Sequence, residues 1–353
     1  MNTKLPTTLI PQLNQQQCLN SCIPKGIQHS CTRCYDICPA DAIDVSESHI
    51  PEIDNSACTG CTACVSICPI DAIKHEQFNP THLTHQAKVM RTKGCDHLSI
   101  QCSAVQHRKS DANIPCHAMW NSLLLASIAA EGTQTLHLIG IDQCKSCSMQ
   151  HGASIMKQVE KDYTTLNYAL NVHLDISWQE DTQENHQTNQ EAEPARRAFF
   201  RNLLPSITQS AITAAAQINH QISNQDDKTT PKEDLPLLPT SLALFVQALP
   251  KLEPNFTPIP NLPSLPMGVI QATDSCTACG ECVQQCPTKA LYLKEFGANS
   301  ILEFKPHHCI GCNQCVEICP EGAIESLPSI SLPAIATKRS RPLIMVANVQ
   351  HNK

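Results

Sequence analysis

The stretch CTGCTACVSICP, from Cys58 to Pro69, places four cysteines at gaps of two, two and three residues and follows them with a proline. The same pattern returns near the far end of the chain, as CTACGECVQQCP from Cys276 and as CIGCNQCVEICP from Cys309. An incomplete copy, SCTRCYDICP, precedes the first. The spacing therefore predicts one local structure that is built repeatedly, in two pairs.

The composition indicates that apolar burial alone does not fix this fold. The chain has 353 residues, of which 22 are cysteine and only 4% aromatic. The N-terminus has no sustained apolar segment, and the longest apolar run, around Leu123–Ala130, is too short to span a bilayer. We therefore expect a cytoplasmic protein without membrane insertion, whose cysteines bind metal rather than form disulfides. A net charge of −7 disfavours nucleic acid as a partner.

The cysteine spacing matches the ligand requirements of a [4Fe-4S] cube. The run C-x2-C-x2-C wraps three thiolates around one cube, and the fourth cysteine ligates the cube of a sister motif. We predict two such cubes at the C-terminal end. One is held by Cys276, Cys279, Cys282 and Cys319, and the other by Cys309, Cys312, Cys315 and Cys286. Structural zinc, the alternative, needs two C-x2-C pairs and neither the third cysteine nor the trailing C-P.

The N-terminal pair is complete in one motif and altered in the other. Cys38, Cys58, Cys61 and Cys64 are predicted to hold one cube, and Cys31, Cys34 and Cys68 three corners of a second. Gln28 stands where its first loop cysteine is expected, so the fourth ligand is Cys22 or Cys18. We favour Cys22 because its loop to Cys31 is the shorter one to close. A three-iron cluster with three ligands is the other alternative.

The middle of the chain alternates predicted strands and helices, which indicates a small parallel sheet. Strands are predicted at Leu98–Gln101, Ala112–Pro115, Thr135–Ile141 and Val172–Trp178, and helices at Ala118–Glu131 and Ile155–Leu166. Cysteines follow the first three strands, at the edge where sites form in open parallel sheets. Cys102, Cys116, Cys144 and Cys147 are therefore candidate ligands of a [2Fe-2S] cluster or a zinc ion, with His117 and His151 as possible substitutes. The alternative is a domain with scattered reduced thiols.

We predict an α+β fold in which two ferredoxin-like dicluster modules flank this small α/β domain. The predicted divisions are an N-terminal dicluster domain at 1–88, the α/β domain at 89–178, a polar, helical and Pro-rich linker at 179–269, a C-terminal dicluster domain at 270–330 and a basic tail at 331–353. Within the linker, Ala195–Ile222 is predicted to be helical in two pieces. Pro231–Pro266 carries nine prolines and is predicted to be an extended strap rather than a helix.

Both ends resemble bacterial two-cluster ferredoxins, over about Ile270–Leu327 and about Cys22–Lys74. The middle segment IPCHAMWNSLLLASIAAEGTQTLHLIGIDQCKSC looks like the delta subunit of methyl-viologen-reducing hydrogenase, with a resemblance that spans about Gly94–Trp178. That resemblance implies a [2Fe-2S] cluster. It also implies electron transfer between a hydrogenase or formate dehydrogenase and a heterodisulfide-reductase-type flavoprotein.

Three functions remain open at the level of sequence. The leading hypothesis is a non-catalytic electron-transfer subunit, a polyferredoxin with four [4Fe-4S] clusters that serves a partner redox enzyme. The second is a docking, maturation or redox-sensing scaffold for such an enzyme, which the linker and the basic residues Lys338, Arg339 and Arg341 would suit. The third is an enzyme whose site is the cysteine edge of the middle domain. No nucleotide-binding glycine fingerprint, P-loop or Ser/His/Asp arrangement supports catalysis.

Overall fold

A computed structural model describes most of the chain outside one long central segment. The described residues are 10–22, 31–45, 50–76, 78–105, 110–147, 149, 151–179, 238–262 and 265–347, and they belong to one packed unit. The predictions for most of the linker, including the helical pieces over Ala195–Ile222, lie outside these residues. In the described part, no helix combines the length and the apolar character needed to cross a bilayer.

The N-terminal module has short elements around its cysteine loops. Its elements are β1 (Gln12–Leu13), α1 (Arg33–Asp36), β2 (Ile43–Val45), β3 (Pro51–Ile53), α2 (Ala63–Ile67) and β4 (Ile73–Lys74). The first and last strands pair with each other, and the two central strands form an antiparallel hairpin. Each short helix begins at a loop cysteine or next to one and ends before the trailing cysteine, so the sequence pattern sets its length.

The middle domain contains the parallel sheet that the sequence predicts. It consists of α3 (Pro80–Thr92), β5 (His97–Cys102), β6 (Ala112–Ile114), α4 (Ser122–Ala130), β7 (Thr135–Ile139), α5 (Gly152–Asn167) and β8 (Asp175–Gln179). The strand order is β6-β5-β7-β8, and every pairing in this sheet is parallel. The carboxyl ends of β5, β6 and β7 therefore lie at one edge, and the four candidate cysteines lie at or just beyond these strand ends.

Helix α4 is the centre of the core. Its sequence SLLLASIAA is apolar on all sides, and Leu123, Leu124 and Leu125 have no exposed surface. A helix of this kind must be covered all round. It packs against α3, α5 and helix α6 (Thr240–Leu252), the last of which comes from beyond the central segment.

The prediction of an extended strap over Pro231–Pro266 is wrong at α6. The prolines lie at both sides of the run TSLALFVQAL, where Pro239 directly precedes the helix and Pro250 falls in its last turn. Between them, Leu242, Phe245 and Leu249 recur at helical spacing and are fully buried. A count of prolines over the whole stretch concealed a helix whose only proline, Pro250, lies in its last turn.

The C-terminal module repeats the topology of the N-terminal one and extends it. Its elements are β9 (Ile259–Pro260), β10 (Ile270–Ala272), α7 (Glu281–Gln285), β11 (Leu291–Phe296), β12 (Asn299–Phe304), α8 (Gln314–Glu317), β13 (Ile324–Ser326), β14 (Ser329–Ile330), α9 (Leu332–Ala336) and β15 (Arg341–Ala347). The outer strands β10 and β13 pair, and β11 and β12 form the central hairpin. Strand β15, which the sequence analysis assigned to a basic tail, pairs with β12 and widens that hairpin to a three-stranded sheet.

Polar side chains tie the N-terminal module to the helices of the core. The Asn121 side chain accepts from Leu124 N–H at 2.9 Å, which caps α4, and its Nδ2 donates to the Ser66 carbonyl in α2 at 3.2 Å and to Ser241 Oγ in α6 at 3.3 Å. In the N-terminal module, Asp71 Oδ2 accepts from the Thr240 N–H at 2.7 Å and from its hydroxyl at 2.6 Å. A carboxylate from one module thus caps the first turn of α6.

We expect Asp71→Asn to destabilise the protein by about 1 kcal/mol, because it removes a negative charge from the N-terminus of a helix and weakens two hydrogen bonds. Asparagine tolerates the left-handed backbone that Asp71 adopts (φ 53°), so the loop itself should be retained. In anaerobic thermal scans at a fixed rate, the midpoint should fall by roughly 2 °C. Asp44→Asn, on the exposed side of β2, is the matched control and should leave the midpoint unchanged.

Candidate iron–sulfur cluster sites

The three complete cysteine loops share a backbone conformation that ordinary residues seldom adopt. In each, the residues before and after the second cysteine have positive φ. They are Gly60 (70°) and Thr62 (65°), Ala278 (55°) and Gly280 (84°), and Gly311 (62°) and Asn313 (59°). Such turns aim successive N–H groups into one concave, anion-binding surface. Accordingly, the N–H groups of Gly60 and Gly311 donate to the sulfurs of Cys58 and Cys309.

The sulfur of the last cysteine in every motif accepts a hydrogen bond that recurs in all four motifs. In each of the four C-P-x-x-A segments, the alanine N–H donates to the cysteine Sγ. The pairs are Ala42 to Cys38 at 3.3 Å, Ala72 to Cys68 at 3.2 Å, Ala290 to Cys286 at 3.2 Å and Ala323 to Cys319 at 3.2 Å. The residue before each alanine is left-handed, with φ between 48° and 59°. The sequence analysis missed this alanine, although the fourfold repeat of C-P-x-x-A is visible in the sequence.

The C-terminal module brings together both predicted sets of four cysteines. One set, Cys286, Cys309, Cys312 and Cys315, lines a cavity of about 420 Å³. The other, Cys276, Cys279, Cys282 and Cys319, lines a cavity of about 350 Å³. As the sequence pattern requires, each cavity takes its fourth cysteine from the sister motif. The two sets are neighbours, since Cys282 lies within electrostatic reach of Cys315.

The complete N-terminal motif is arranged in the same way. Burial first, and then the charges of Cys61, Cys58, Cys34 and Cys38, raise the pKa of the Cys64 thiol well above its usual range. Three of these neighbours belong to the predicted set of Cys38, Cys58, Cys61 and Cys64. The fourth, Cys34, belongs to the adjoining set, so the two N-terminal sets also lie side by side.

In the altered N-terminal motif, the structure places Cys18 with the predicted cysteines. Cys18, Cys31, Cys34 and Cys68 line one cavity, as the two C-terminal sets of four each do. Cys22, which the sequence analysis favoured, ends a short 3-10 helix, and its side chain lies outside the described residues. The preference for Cys22 therefore stays a prediction, and the difference in loop-closure entropy behind it is small.

The chemistry of these sites fits a positively charged, sulfur-binding core. Burial and the neighbouring thiols raise the pKa of Cys34 and of Cys282 to about 12. Burial is also the largest cause of the rise in the pKa of Cys309 to about 12. Such thiols are neutral at pH 7 without a metal, and iron binding displaces their protons. Sulfurs in sets of four with N–H donors directed at them are what a [4Fe-4S] cube requires.

The four middle cysteines also converge at the carboxyl edge of the sheet. Burial first, and then the charges of Cys144 and Cys147, raise the pKa of Cys102. Burial first, and then the charges of Cys61, Cys102 and Cys144, raise the pKa of the Cys116 thiol. Among the described residues, no group of three or more His, Cys, Asp or Glu side chains is arranged to hold a single metal ion. The four thiolates of a [2Fe-2S] cluster bind two different irons, two on each, so they spread over a wider space than the ligands of one ion.

Two glycines provide the room at this edge. A Cβ at Gly152 would lie 2.8 Å from the Cys116 sulfur and 3.4 Å from that of Cys144. A Cβ at Gly140, whose φ is +91°, would lie 3.0 Å from the Cys102 sulfur. The Cys102 thiol donates to the Gly140 carbonyl at 3.7 Å. Both glycines permit a close approach of backbone to sulfur, a role that the sequence did not indicate.

His117 is not available as a substitute ligand. Its Nε2 lies 3.0 Å from the Ile139 carbonyl, and its Nδ1 accepts from the Trp120 indole N–H at 3.2 Å. Both ring nitrogens are therefore used in the core, and burial lowers the pKa of His117 to about 4. His151 is exposed just before α5.

Comparison with known families agrees with both ends of the chain. The family model of the 4Fe-4S dicluster domain matches residues 29–72 and again residues 275–323. No curated protein matches the chain. The family match does not include the middle domain, whose resemblance to the hydrogenase delta subunit stays a prediction.

The two dicluster matches cover the two ends of the chain. They indicate [4Fe-4S] clusters at both ends and support an iron–sulfur electron-transfer role for this chain. The predicted ferredoxin modules and the parallel sheet of the middle domain are confirmed.

We predict that Cys18→Ala will lower the iron content by about one to four irons per chain, because a cube held by three thiolates loses at least its unliganded iron. Cys22→Ala, the matched control, should keep the wild-type iron and sulfide content. Iron and acid-labile sulfide are measured on anaerobically purified full-length protein. Loss of iron from Cys22→Ala together with full content in Cys18→Ala would show that the sequence preference was right.

Proposed function

We propose that this chain relays single electrons between a partner oxidoreductase and a second redox protein through four [4Fe-4S] clusters and a smaller cluster in the middle domain. The observation that carries the proposal is the clustering of cysteines in sets of four that adjoin one another. Each cluster supplies one-electron chemistry when bound. The chain supplies thiolates, N–H donors to sulfur and walls that exclude water.

The ligand sets follow from the cavities and from the electrostatic neighbours. We assign Cys18, Cys31, Cys34 and Cys68 to one N-terminal cube and Cys38, Cys58, Cys61 and Cys64 to the other. At the C-terminal end we assign Cys276, Cys279, Cys282 and Cys319 to one cube and Cys286, Cys309, Cys312 and Cys315 to the other. These sets are supported by three cavities and by the charges acting on Cys64.

We assign a [2Fe-2S] cluster to Cys102, Cys116, Cys144 and Cys147. The convergence of these thiols at one sheet edge supports it, and so does the space left by Gly140 and Gly152. Cys116 and Cys61 lie within electrostatic reach of each other, which makes the middle site a neighbour of the N-terminal module. The reducing cytoplasm, where thiols stay free for metal, suits a chain with this many cysteines.

Anaerobic analysis tests both the four cubes and the middle cluster. We expect about eighteen irons per wild-type chain and about sixteen in Cys144→Ala, since the cubes account for four irons each and the middle cluster for two. Dithionite titration should reduce the clusters in stoichiometric steps. Zinc in place of iron would overturn the proposal. Full iron that no donor can reduce would favour a docking or redox-sensing scaffold. Sixteen irons in both the wild type and Cys144→Ala would contradict only the assignment of a cluster to the middle domain.

The C-terminal module offers the opening to a partner. Cys279 is the exposed cysteine among those described, and Glu281 and Glu321 line the same cavity and are exposed. A partner that docks at this opening would therefore present a positively charged surface around its own redox centre. By resemblance alone, a formate dehydrogenase, a hydrogenase or a heterodisulfide-reductase-type enzyme is the partner class that we propose.

Electron entry at this opening should depend on its negative charge. With methyl viologen radical cation as donor, we expect Glu281→Gln to slow reduction by about two- to fivefold at low ionic strength, with the difference disappearing as salt screens the charge. Stopped-flow absorbance under argon measures the rate. Glu253→Gln changes the charge equally at an exposed residue after α6 and is the control. Equal reduction rates for Glu281→Gln and the wild type at all salt concentrations would show that electrons enter the protein at another place.

A further inference from the structure

The two dicluster modules meet at a wall that is shared by two of the cysteine cavities. Gln314 lines the C-terminal cavity of Cys309, Cys312 and their partners, whereas Leu19 lines the N-terminal cavity of Cys18. The Gln314 Nε2 donates to the Leu19 carbonyl at 3.1 Å, a buried hydrogen bond between residues 295 positions apart. We call Leu19, Arg33 and Gln314 the seam.

Arg33 places a positive charge within the seam. It lines the N-terminal cavity beside Cys31 and Cys34. It also lies within electrostatic reach of Cys312 in the C-terminal module, and the buried hydrogen bond from Gln314 to Leu19 joins the two modules beside it. One guanidinium therefore faces cysteines of two modules.

Within the part of the chain that the structure describes, the seam has no side-chain anion to match this cation. Arg33 Nη1 is buried and has no hydrogen-bond partner there, and the same holds for Gln314 Oε1. A buried charged donor without a partner is costly. Iron–sulfur clusters with four thiolates carry net negative charge, so a cluster on each side would compensate the guanidinium.

We propose that the seam joins the two dicluster modules into one continuous electron path, and that Arg33 is a positioning residue that raises the reduction potential of the clusters on both sides of it. The proposal rests on the proposed function, because it needs the cubes. A nearby positive charge stabilises the more negative, reduced state of a cluster, so the potential is higher with the charge than without it. Within the path, one electron lost on one side of the seam is gained on the other, and no further reactant is needed.

A potentiometric titration followed by electron paramagnetic resonance tests this role on the full-length, cluster-loaded chain. Arg33→Gln should keep the wild-type iron and sulfide content and shift at least one midpoint potential to a more negative value. Arg33→Lys keeps the charge and should restore that potential most of the way. Arg339→Gln removes the same charge from an exposed residue and should leave every potential unchanged.

Gln314→Glu is the second variant, and it adds a negative charge to the seam without altering Arg33. Gln314→Glu should shift the same midpoint potential to a more negative value. If Arg33→Gln loses iron, the potentials of Gln314→Glu decide whether charge in the seam acts on the clusters. Unchanged potentials in variants with full iron would overturn the proposal and leave the proposed function intact. Failure of both variants to load their clusters would also contradict the proposal, because the proposed role of the seam residues is electrostatic and none of them is proposed to bind iron. A wild-type chain without iron and sulfide would instead contradict the proposed function.

Magnetic coupling gives an independent measure of continuity across the seam. In the fully reduced wild type, the signal of the C-terminal cube that includes Cys312 should be broadened by the cube across the seam. Cys18→Ala perturbs that N-terminal cube and should narrow the signal. An identical line shape in a Cys18→Ala protein that has lost all four irons of that cube would show that the modules are not adjacent in the electron path.

Discussion

Thiolates buried beside one another repel, and a multinuclear cation is what relieves that repulsion at four of them together. The dicluster modules are built around this constraint. Their helices have four or five residues, and most of their strands have two or three, so regular structure contributes little stability on its own. Cluster binding is then part of the folding free energy of each module. The shortage of aromatic residues fits this account, since sulfur and iron fill the volume that rings fill elsewhere.

The middle domain has an apolar core, and it differs from the dicluster modules in how its cysteines are brought together. Its core is an apolar helix covered by a parallel sheet and three other helices, and it needs no metal to be buried. Its cysteines are brought together by strand topology rather than by one tight loop. Two glycines make space for sulfur where the dicluster loops use left-handed turns. The domain is thus the scaffold on which the N-terminal module and α6 are fixed, through Asn121 and Asp71.

The features predicted well from the sequence are those that local chemistry sets. Cysteine spacing predicted which loops pair, and strand alternation predicted the parallel sheet and the edge where Cys102 and Cys116 lie. The helix α6 was missed because proline content was summed over a stretch in which the prolines flank an apolar run. The sequence could not decide between Cys18 and Cys22, because loop-closure entropy hardly distinguishes the two loop lengths. Arg33 could not be recognised, since only the fold brings it opposite Cys312, which is far away in the sequence.

The two ends of the row of cysteine sites differ in a way that suits a relay better than a scaffold. At the C-terminal end, Cys279 is exposed and lines a cavity together with Glu281 and Glu321. At the other end, Cys116 is buried against Cys61, whereas Cys144 and Cys147 are only half-buried. A scaffold that merely binds an enzyme has no need for neighbouring sites from one opening to a second. A protein that accepts electrons from one partner and passes them to another needs both openings, and it needs the buried sites between them to be adjacent.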